Sequence, residues 1–493
     1  MKKILAGILI ASFIVAGCSI NKKDENSTTT TTAKKQMQGK VEFEKCGQLQ
    51  CATISVPMNY KKPKGRKIKI ALAKLSAADP AKRIGVLLVN PGGPGASGID
   101  LVRSSANFIF TQEMRDQFDI IGWDPRGVGA STKVACARDL DFLFDGVDYS
   151  PDTDAELAKL KEVNESFGKK CEKADKELLP FLSTENSVKD MDSIRKELGE
   201  KQINYLGFSY GTVLGQIYAT NYPKNFRTMV IDGVVDLEAD PVDISKEQTI
   251  GFEDALNNFF DYCRMRVCTY TKGQNPRDAF LAIMKRIDAT PIQSPTDPSL
   301  ILGPAQFDIG SSYFLYSGTY GWQSLDSALA SIVNSNDPTG MLSGFTGYVG
   351  REGANKYDGS YSSFLTIGCS DGNIGDVDEM VSFAKSLDSV APVFGESGVL
   401  LGLPCATWYK TQEAKPFDVD ASGSAPIVVI GTTGDPATPV QWARNAAEQL
   451  KTGVYVERRG EGHTAYGQGN DCIDELVNTY FLTAKEPSSK VCQ

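Results

Sequence analysis

"INYLGFSYGTVLGQIYATNY", residues 203–222, joins a continuous apolar run to a helical pattern through Gly207-Phe208-Ser209-Tyr210-Gly211. An apolar run of this length reads as a strand buried on both faces, and the residues after the glycines recur at helical spacing. The G-x-S-x-G spacing between them lets the chain turn sharply from strand into helix. It sets the hydroxyl of Ser209 at the exposed apex of that turn, on the carboxyl edge of a sheet. Strand, tight turn and helix in this order begin a parallel α/β layer, and they make Ser209 a candidate nucleophile.

Outward from this stretch, apolar or β-branched runs recur at IGVLLVN (84–90), FDIIGWD (118–124), RTMVIDGV (227–234), PIVVIGTTGD (426–435) and GVYVERRGEG (453–462). Their alternation with helical patterns predicts an α/β fold with a mostly parallel central sheet covered on both faces. ATISVPMNY (52–60) and KIKIALAKLSA (67–77) alternate with period two and predict an antiparallel start to that sheet. Val188, Met191, Ile194 and Leu198 mark a helix with Asn186 as N-cap and Gly199 as stop. Ile473, Leu476, Val477 and Tyr480 mark a last amphipathic one. The rhythm lapses over 236–411, where polar loops alternate with helical pieces such as FEDALNNFFDYC, whose Phe252, Leu256, Phe259 or Phe260 face a small core of their own. We read this stretch as an inserted, mainly helical cap that divides the core into 41–235 and 412–493.

A serine at its free pKa is a poor nucleophile and needs a base beside it. The chain has one histidine, His463, in GEGHTAYG (460–467) at the end of the last long strand run. That loop is placed to bring the imidazole to Ser209 at the same sheet edge. The base needs a carboxylate to orient it. Asp435 follows strand PIVVIGTTG one strand-helix-strand step upstream, in the turn Gly434-Asp435-Pro436; Asp232 and Asp236, after the preceding strand, are its rivals. Asn90-Pro91-Gly92-Gly93-Pro94-Gly95 follows strand IGVLLV at the same edge, and the Gly93 and Tyr210 N–H groups are candidates for an oxyanion hole. The resulting order, Ser then Asp then His, is that of α/β-hydrolases.

The N-terminus opens MKKILAGILIASFIVAGCS, two lysines before an apolar run too short to span a bilayer. It reads as an export signal over 1–17, and Val15-Ala16-Gly17-Cys18 resembles a bacterial lipobox, in which Cys18 carries the lipid. Residues 18–40, with five consecutive threonines, have little to bury and read as a flexible tether. The expected location is the outer face of the cell membrane. Of eleven cysteines, ten remain after Cys18. Cys46/Cys51 and Cys263/Cys268 are near neighbours and Cys136/Cys171, Cys369/Cys405 and Cys472/Cys492 close short loops, a pattern of disulfides whose connectivity the sequence leaves open. A zinc site is the rival reading of the close pairs, disfavoured with a single histidine, and no metal or cofactor is expected. The net charge of −9 repels nucleic acid at long range, and no nucleic-acid motif is present.

Together NPGGPGASG, GWDPRGVGAST, NYLGFSYGTVLGQIYATNYP, GTTGDPATPVQWARNAAEQL and GEGHT resemble the secreted bacterial tripeptidyl and prolyl aminopeptidase branch of the α/β-hydrolases. The resemblance runs from about Cys46 onward and is weakest in the cap. It implies release of short peptides from free amino ends, with Ser209 as nucleophile, His463 as base then acid, and Asp435 as orienter. Pro91 stands where prolyl aminopeptidases carry a histidine before GGPG, which leans toward the tripeptidyl type. An acidic group of the cap is then expected to hold the substrate ammonium, with Asp371 as the candidate; the alternative reading of Asp371 is an ordinary solvated loop aspartate. Arg126 of GWDPRGVGA is read as structural, pairing near Asp124. Two further functions share these residues: a carboxylesterase using the same triad, and a peptide-binding lipoprotein without turnover.

Overall fold

The strands form where the chain carries its continuous apolar runs. The computed structural model describes residues 41–493 apart from 137–138 and 410–412; the signal, Cys18 and the tether lie outside the described residues. β1 (Glu44–Cys46), β2 (Leu49–Pro57) and β3 (Lys67–Leu75) pair antiparallel, and β3 pairs antiparallel with β5 (Phe118–Trp123). From β5 the sheet continues in parallel through β4 (Gly85–Asn90), β6 (Ile203–Phe208), β7 (Phe226–Asp232), β8 (Ile427–Gly434), β9 (Gly453–Glu461) and β10 (Lys490–Cys492).

Every residue of β4 and β6 is buried, so neither shows the polar alternation of a one-sided strand. Successive side chains instead feed opposite layers. Leu87 and Val89 pack with α1 (Gly98–Ile109) and with the C-terminal helix through Ile473 and Val477. Val86 and Leu88 pack on the other face, which the helices Thr184–Glu197 and Tyr210–Asn221 cover through Met191, Ile194, Leu214 and Ile217. The helices that matter to the site are α2 (Asp154–Asp175), α3 (Thr184–Glu197), α4 (Tyr210–Asn221), α5 (Pro241–Arg266), α6 (Pro304–Leu315), α7 (Ser360–Asp371), α8 (Val440–Gln449) and α9 (Asp471–Thr483).

α3 begins two residues before the Asn186 expected from local sequence. The cause is tertiary: Asp371, far away in the chain, accepts the Thr184 N–H at 2.8 Å and so caps the helix from outside. Helices make up most of the chain between β7 and β8, with two short strand pairs (Ile292–Gln293 with Ile301–Leu302, Arg351–Gly353 with Lys356–Tyr357) among them, and the connection between β5 and α3 packs on this stretch although its sequence places it with the core. Phe144 meets Phe345 and Tyr361, Phe167 meets Trp408, and Arg351 reaches Asp141 at 2.8 Å. Sequence shows no sign of this because the partners are more than 200 residues apart.

Arg126 is structural, but its partner is not Asp124. Its guanidinium makes two 2.7 Å bonds to Asp190, with both side chains fully buried, and donates to the carbonyl oxygens of Met58 and Phe181. Asp124 accepts instead from the Ser97 hydroxyl at the start of α1 and from Ala130 N–H in its own loop. Five disulfides, Cys46–Cys51, Cys136–Cys171, Cys263–Cys268, Cys369–Cys405 and Cys472–Cys492, use all ten cysteines after Cys18.

Candidate active site

Because β4, β6, β8 and β9 run parallel, their carboxyl ends open on one edge, where open α/β sheets bind their ligands. β6 ends at Phe208 and α4 begins at Tyr210, which leaves Ser209 in the turn at φ 53° and ψ −125°, a strained conformation for a residue with a Cβ. The turn closes because a Cβ is missing beside it: one on Gly207 would stand 2.4 Å from the Gly211 carbonyl oxygen. The loop after β4 comes equally close. A Cβ on Gly92 would lie 2.5 Å from Phe208 O and 2.9 Å from the Ser209 Cβ.

β8 delivers Asp435 and β9 delivers His463. His463 Nδ1 lies 2.9 Å from each Asp435 carboxylate oxygen. The carboxylate is itself fixed by the N–H groups of Ala437, Thr438 and Thr464 and by the Thr438 hydroxyl. The rivals hold other posts. Asp232 accepts the N–H groups of Ala465 and Tyr466 and so anchors the loop that carries His463, while Asp236 accepts from Asn445 and Gln449. Burial of Asp232 pushes its carboxyl up to about 6, although those N–H groups and His463 act against the shift. For His463, burial favours the neutral ring, but the nearby Asp435 and, further off, Asp232 outweigh it and raise the imidazole above its ordinary 6.5.

His463 Nε2 is buried and has no hydrogen-bond partner among the described residues. Ser209, His463, Gly93 and Pro94 share one cavity of about 580 Å³, roofed by Tyr316 and Phe364. Serine and imidazole face a common space without being bonded to each other, and the other ring nitrogen is aligned by a carboxylate. Tyr210 contributes the first N–H of α4, which has no intrahelical acceptor. Such a constellation can activate a hydroxyl for attack on a carbonyl carbon.

Residues 391–492 match the family model described as TAP-like protein, and residues 85–264 match that of the alpha/beta hydrolase fold. Serine protease Hip1 of Mycobacterium tuberculosis (strain H37Rv) is 32% identical over 463 residues, covering 90% of this chain and 87% of that protein. The chain belongs to the TAP-like α/β-hydrolases. Two further relatives of this TAP-like hydrolase are a tripeptidyl aminopeptidase of Streptomyces lividans (27% identical, 90% and 83% covered) and carboxylesterase B of M. tuberculosis strain H37Rv (33% identical, 90% and 86% covered). It is a serine hydrolase of peptidase or esterase type.

Two placements in this TAP-like hydrolase escaped the sequence. Tyr316, at the end of α6, accepts the His463 N–H at 2.7 Å and sets its ring edge-on to the imidazole at 5.3 Å. Beyond the aromatic roof lies a second cavity of about 340 Å³ that shares Tyr316, Tyr348, Tyr361 and Phe364 with the first. Phe252, read from sequence as part of the cap's core, packs against the cluster that holds Leu256, Phe259 and Phe260 and also lines this cavity. Asp371, expected to face a substrate ammonium, lines neither cavity. Its oxygens accept from Thr184 N–H and, at 2.5 Å, from the Thr184 hydroxyl, which in turn contacts the Tyr210 hydroxyl at 2.5 Å. Since the single Thr184 proton goes to the carboxylate, Tyr210 donates to Thr184. Asp371 therefore braces the residue after Ser209 and caps α3.

Proposed function

We propose that this hydrolase releases short peptides, tripeptides in the first place, from the free amino ends of oligopeptides through an acyl-enzyme on Ser209. The observation that carries the reading is the unpartnered His463 Nε2 in one cavity with Ser209, backed by the carboxylate of Asp435. His463 takes the Ser209 proton as Oγ attacks the scissile carbonyl, and Asp435 stabilises the imidazolium that forms. The oxyanion points to Gly93 and Tyr210 N–H, neither of which donates to another described residue. His463 then protonates the departing amine, and a water activated by the same imidazole releases the peptide. Similarity along 90% of the chain to relatives named serine protease and tripeptidyl aminopeptidase supports peptides as substrates.

A carboxylesterase is the second reading, favoured by a relative of that name at 33% identity and by the apolar lining of the second cavity. Digestion of a peptide library with free and acetylated amino ends, followed by mass analysis of the fragments, separates the two. Tripeptides released only from free ends support the aminopeptidase; turnover of activated esters alone, with intact peptides, overturns it.

The signal and lipobox support an exported protein held on the outer membrane face by a lipid on Cys18, and the five disulfides fit an oxidising location. Labelled palmitate retained by the wild type and lost in Cys18→Ser supports the anchor; equal incorporation in both overturns it.

A further inference from the structure

Among the described residues, the second cavity has a single ionisable carboxyl on its wall. Asp308, on α6, is 5% exposed, and no lysine or arginine joins it among the described residues lining the cavity. The rest of the lining is aromatic, aliphatic or neutral polar, with Phe252, Ile309, Leu365 and Phe394 among its larger members. A buried carboxyl without a cationic partner is costly in such surroundings, and function is the usual reason for keeping one. The Ser397 hydroxyl is the neighbour that favours its charged form.

The position along the helix is as telling as the burial. Asp308, Ile309, Ser312 and Tyr316 all line this cavity and lie at i, i+1, i+4 and i+8, one face of α6 and the residue that caps its C-terminus. Tyr316 marks the end next to the base, through its carbonyl on His463 N–H and its ring on the imidazole. Asp308 marks the other end. Eight residues of α-helix rise about 12 Å. Three extended residues reach at most about 11 Å, and an ammonium adds a hydrogen bond of about 2.8 Å. A dipeptide falls about 3.5 Å short of that reach, and a fourth residue has to buckle.

We propose that Asp308 receives the terminal ammonium of the substrate and that α6, running from Asp308 to Tyr316, measures a three-residue acyl segment between that ammonium and Ser209. The proposal rests on the aminopeptidase reading above and supplies the group that sets peptide length. Burial, aided by Asp148 and opposed by Ser397, pushes the Asp308 carboxyl up to about 8, and an arriving cation reverses the part due to the missing counter-charge. Two other carboxylates, Asp100 and Asp358, line the cavity of Ser209, but both are exposed; Asp100 pairs with Arg103 and Asp358 caps the Ser360 N–H.

The test compares alanine di-, tri- and tetrapeptide p-nitroanilides with free amino ends, and the acetylated tripeptide, on wild type, Asp308→Asn, Asp308→Glu and Asp358→Asn, each checked for folding by circular dichroism. In the wild type the free tripeptide is the best substrate. In Asp308→Asn its kcat/KM falls about thirtyfold or more, chiefly through KM, to the level of the acetylated peptide, and the length preference disappears. Asp308→Glu keeps the charge and retains the preference for a free amine. A tripeptide-selective wild type whose selectivity survives in Asp308→Asn, or is lost only in Asp358→Asn, overturns the assignment and leaves the aminopeptidase reading standing. A wild type indifferent to acetylation overturns that reading, and this assignment with it.

Discussion

His463 and Asp435 meet through one ring nitrogen placed evenly between two carboxylate oxygens, 2.9 Å from each. Burial opposes the charged ring, yet Asp435 and the more distant Asp232 raise the imidazole above 6.5. The free base is the neutral form, so the acidic limb of kcat/KM is expected to fall above pH 6.5, not below it. Asp435→Asn removes the main raising influence, moves any residual limb downward, and lowers kcat by about 10⁴-fold through loss of the correct tautomer. A pH-rate profile on an activated ester checks both. The same pairing has a stability consequence. Its contribution is fully present below the unfolded imidazole's value near 6.5 and is lost as pH rises through the folded one.

The approach of the loop after β4 to the elbow leaves no room for a methyl group. In Gly92→Ala the new Cβ meets Phe208 O at 2.5 Å and the Ser209 Cβ at 2.9 Å, at a backbone φ of +97° that a side chain resists. Either the loop carrying Gly93 or the elbow must shift. We expect kcat to fall about 100-fold or more, the scale of losing an oxyanion donor, with the circular dichroism spectrum unchanged. Steady-state kinetics on the purified variant is the measurement.

Arg126 and Asp190 form an ion pair shut away from solvent on both sides. Removing one partner leaves a charge buried alone, so Asp190→Ala is expected to cost about 3–5 kcal/mol of stability. The double variant Arg126→Met, Asp190→Leu is expected to lose less than either single one. Urea unfolding of Arg126→Met, Asp190→Leu and their combination measures the difference, and that of Asp190→Ala the cost.

Much of the site could be read from the chain because its chemistry is local or unique. Ser209 sits in a five-residue pattern between a strand and a helix, His463 is the only imidazole, and Asp435 stands in a turn at a strand end. What the chain concealed depends on long-range packing. Arg126 finds Asp190, 64 residues away, and not its near neighbour Asp124. Asp371 caps a helix 187 residues upstream. α6 does carry one local signal, a lone aspartate in a helix buried on almost every side, from Ala305 through Ser311 and again at Phe314 and Leu315. Only the fold shows that its far end touches the catalytic loop.

Asp308 also makes a prediction about stability alone. Its folded value near 8 lies far above the 3.8 of an ordinary aspartate, so between those limits the native state holds a proton the unfolded chain releases. Native stability therefore falls over that window as pH rises. Asp308→Asn has no such group, and its gain in Tm over wild type is expected to be larger at pH 8 than at pH 4.5. Calorimetric scans of both proteins at the two pH values check the sign.

The most direct test of the central claim is the site of covalent labelling by a fluorophosphonate, mapped by mass spectrometry in wild type and His463→Ala. The convergence of Ser209, His463 and Asp435 predicts one adduct, on the peptide containing Ser209, lost when the imidazole is removed. An adduct on another serine, or undiminished labelling of Ser209 without His463, contradicts it.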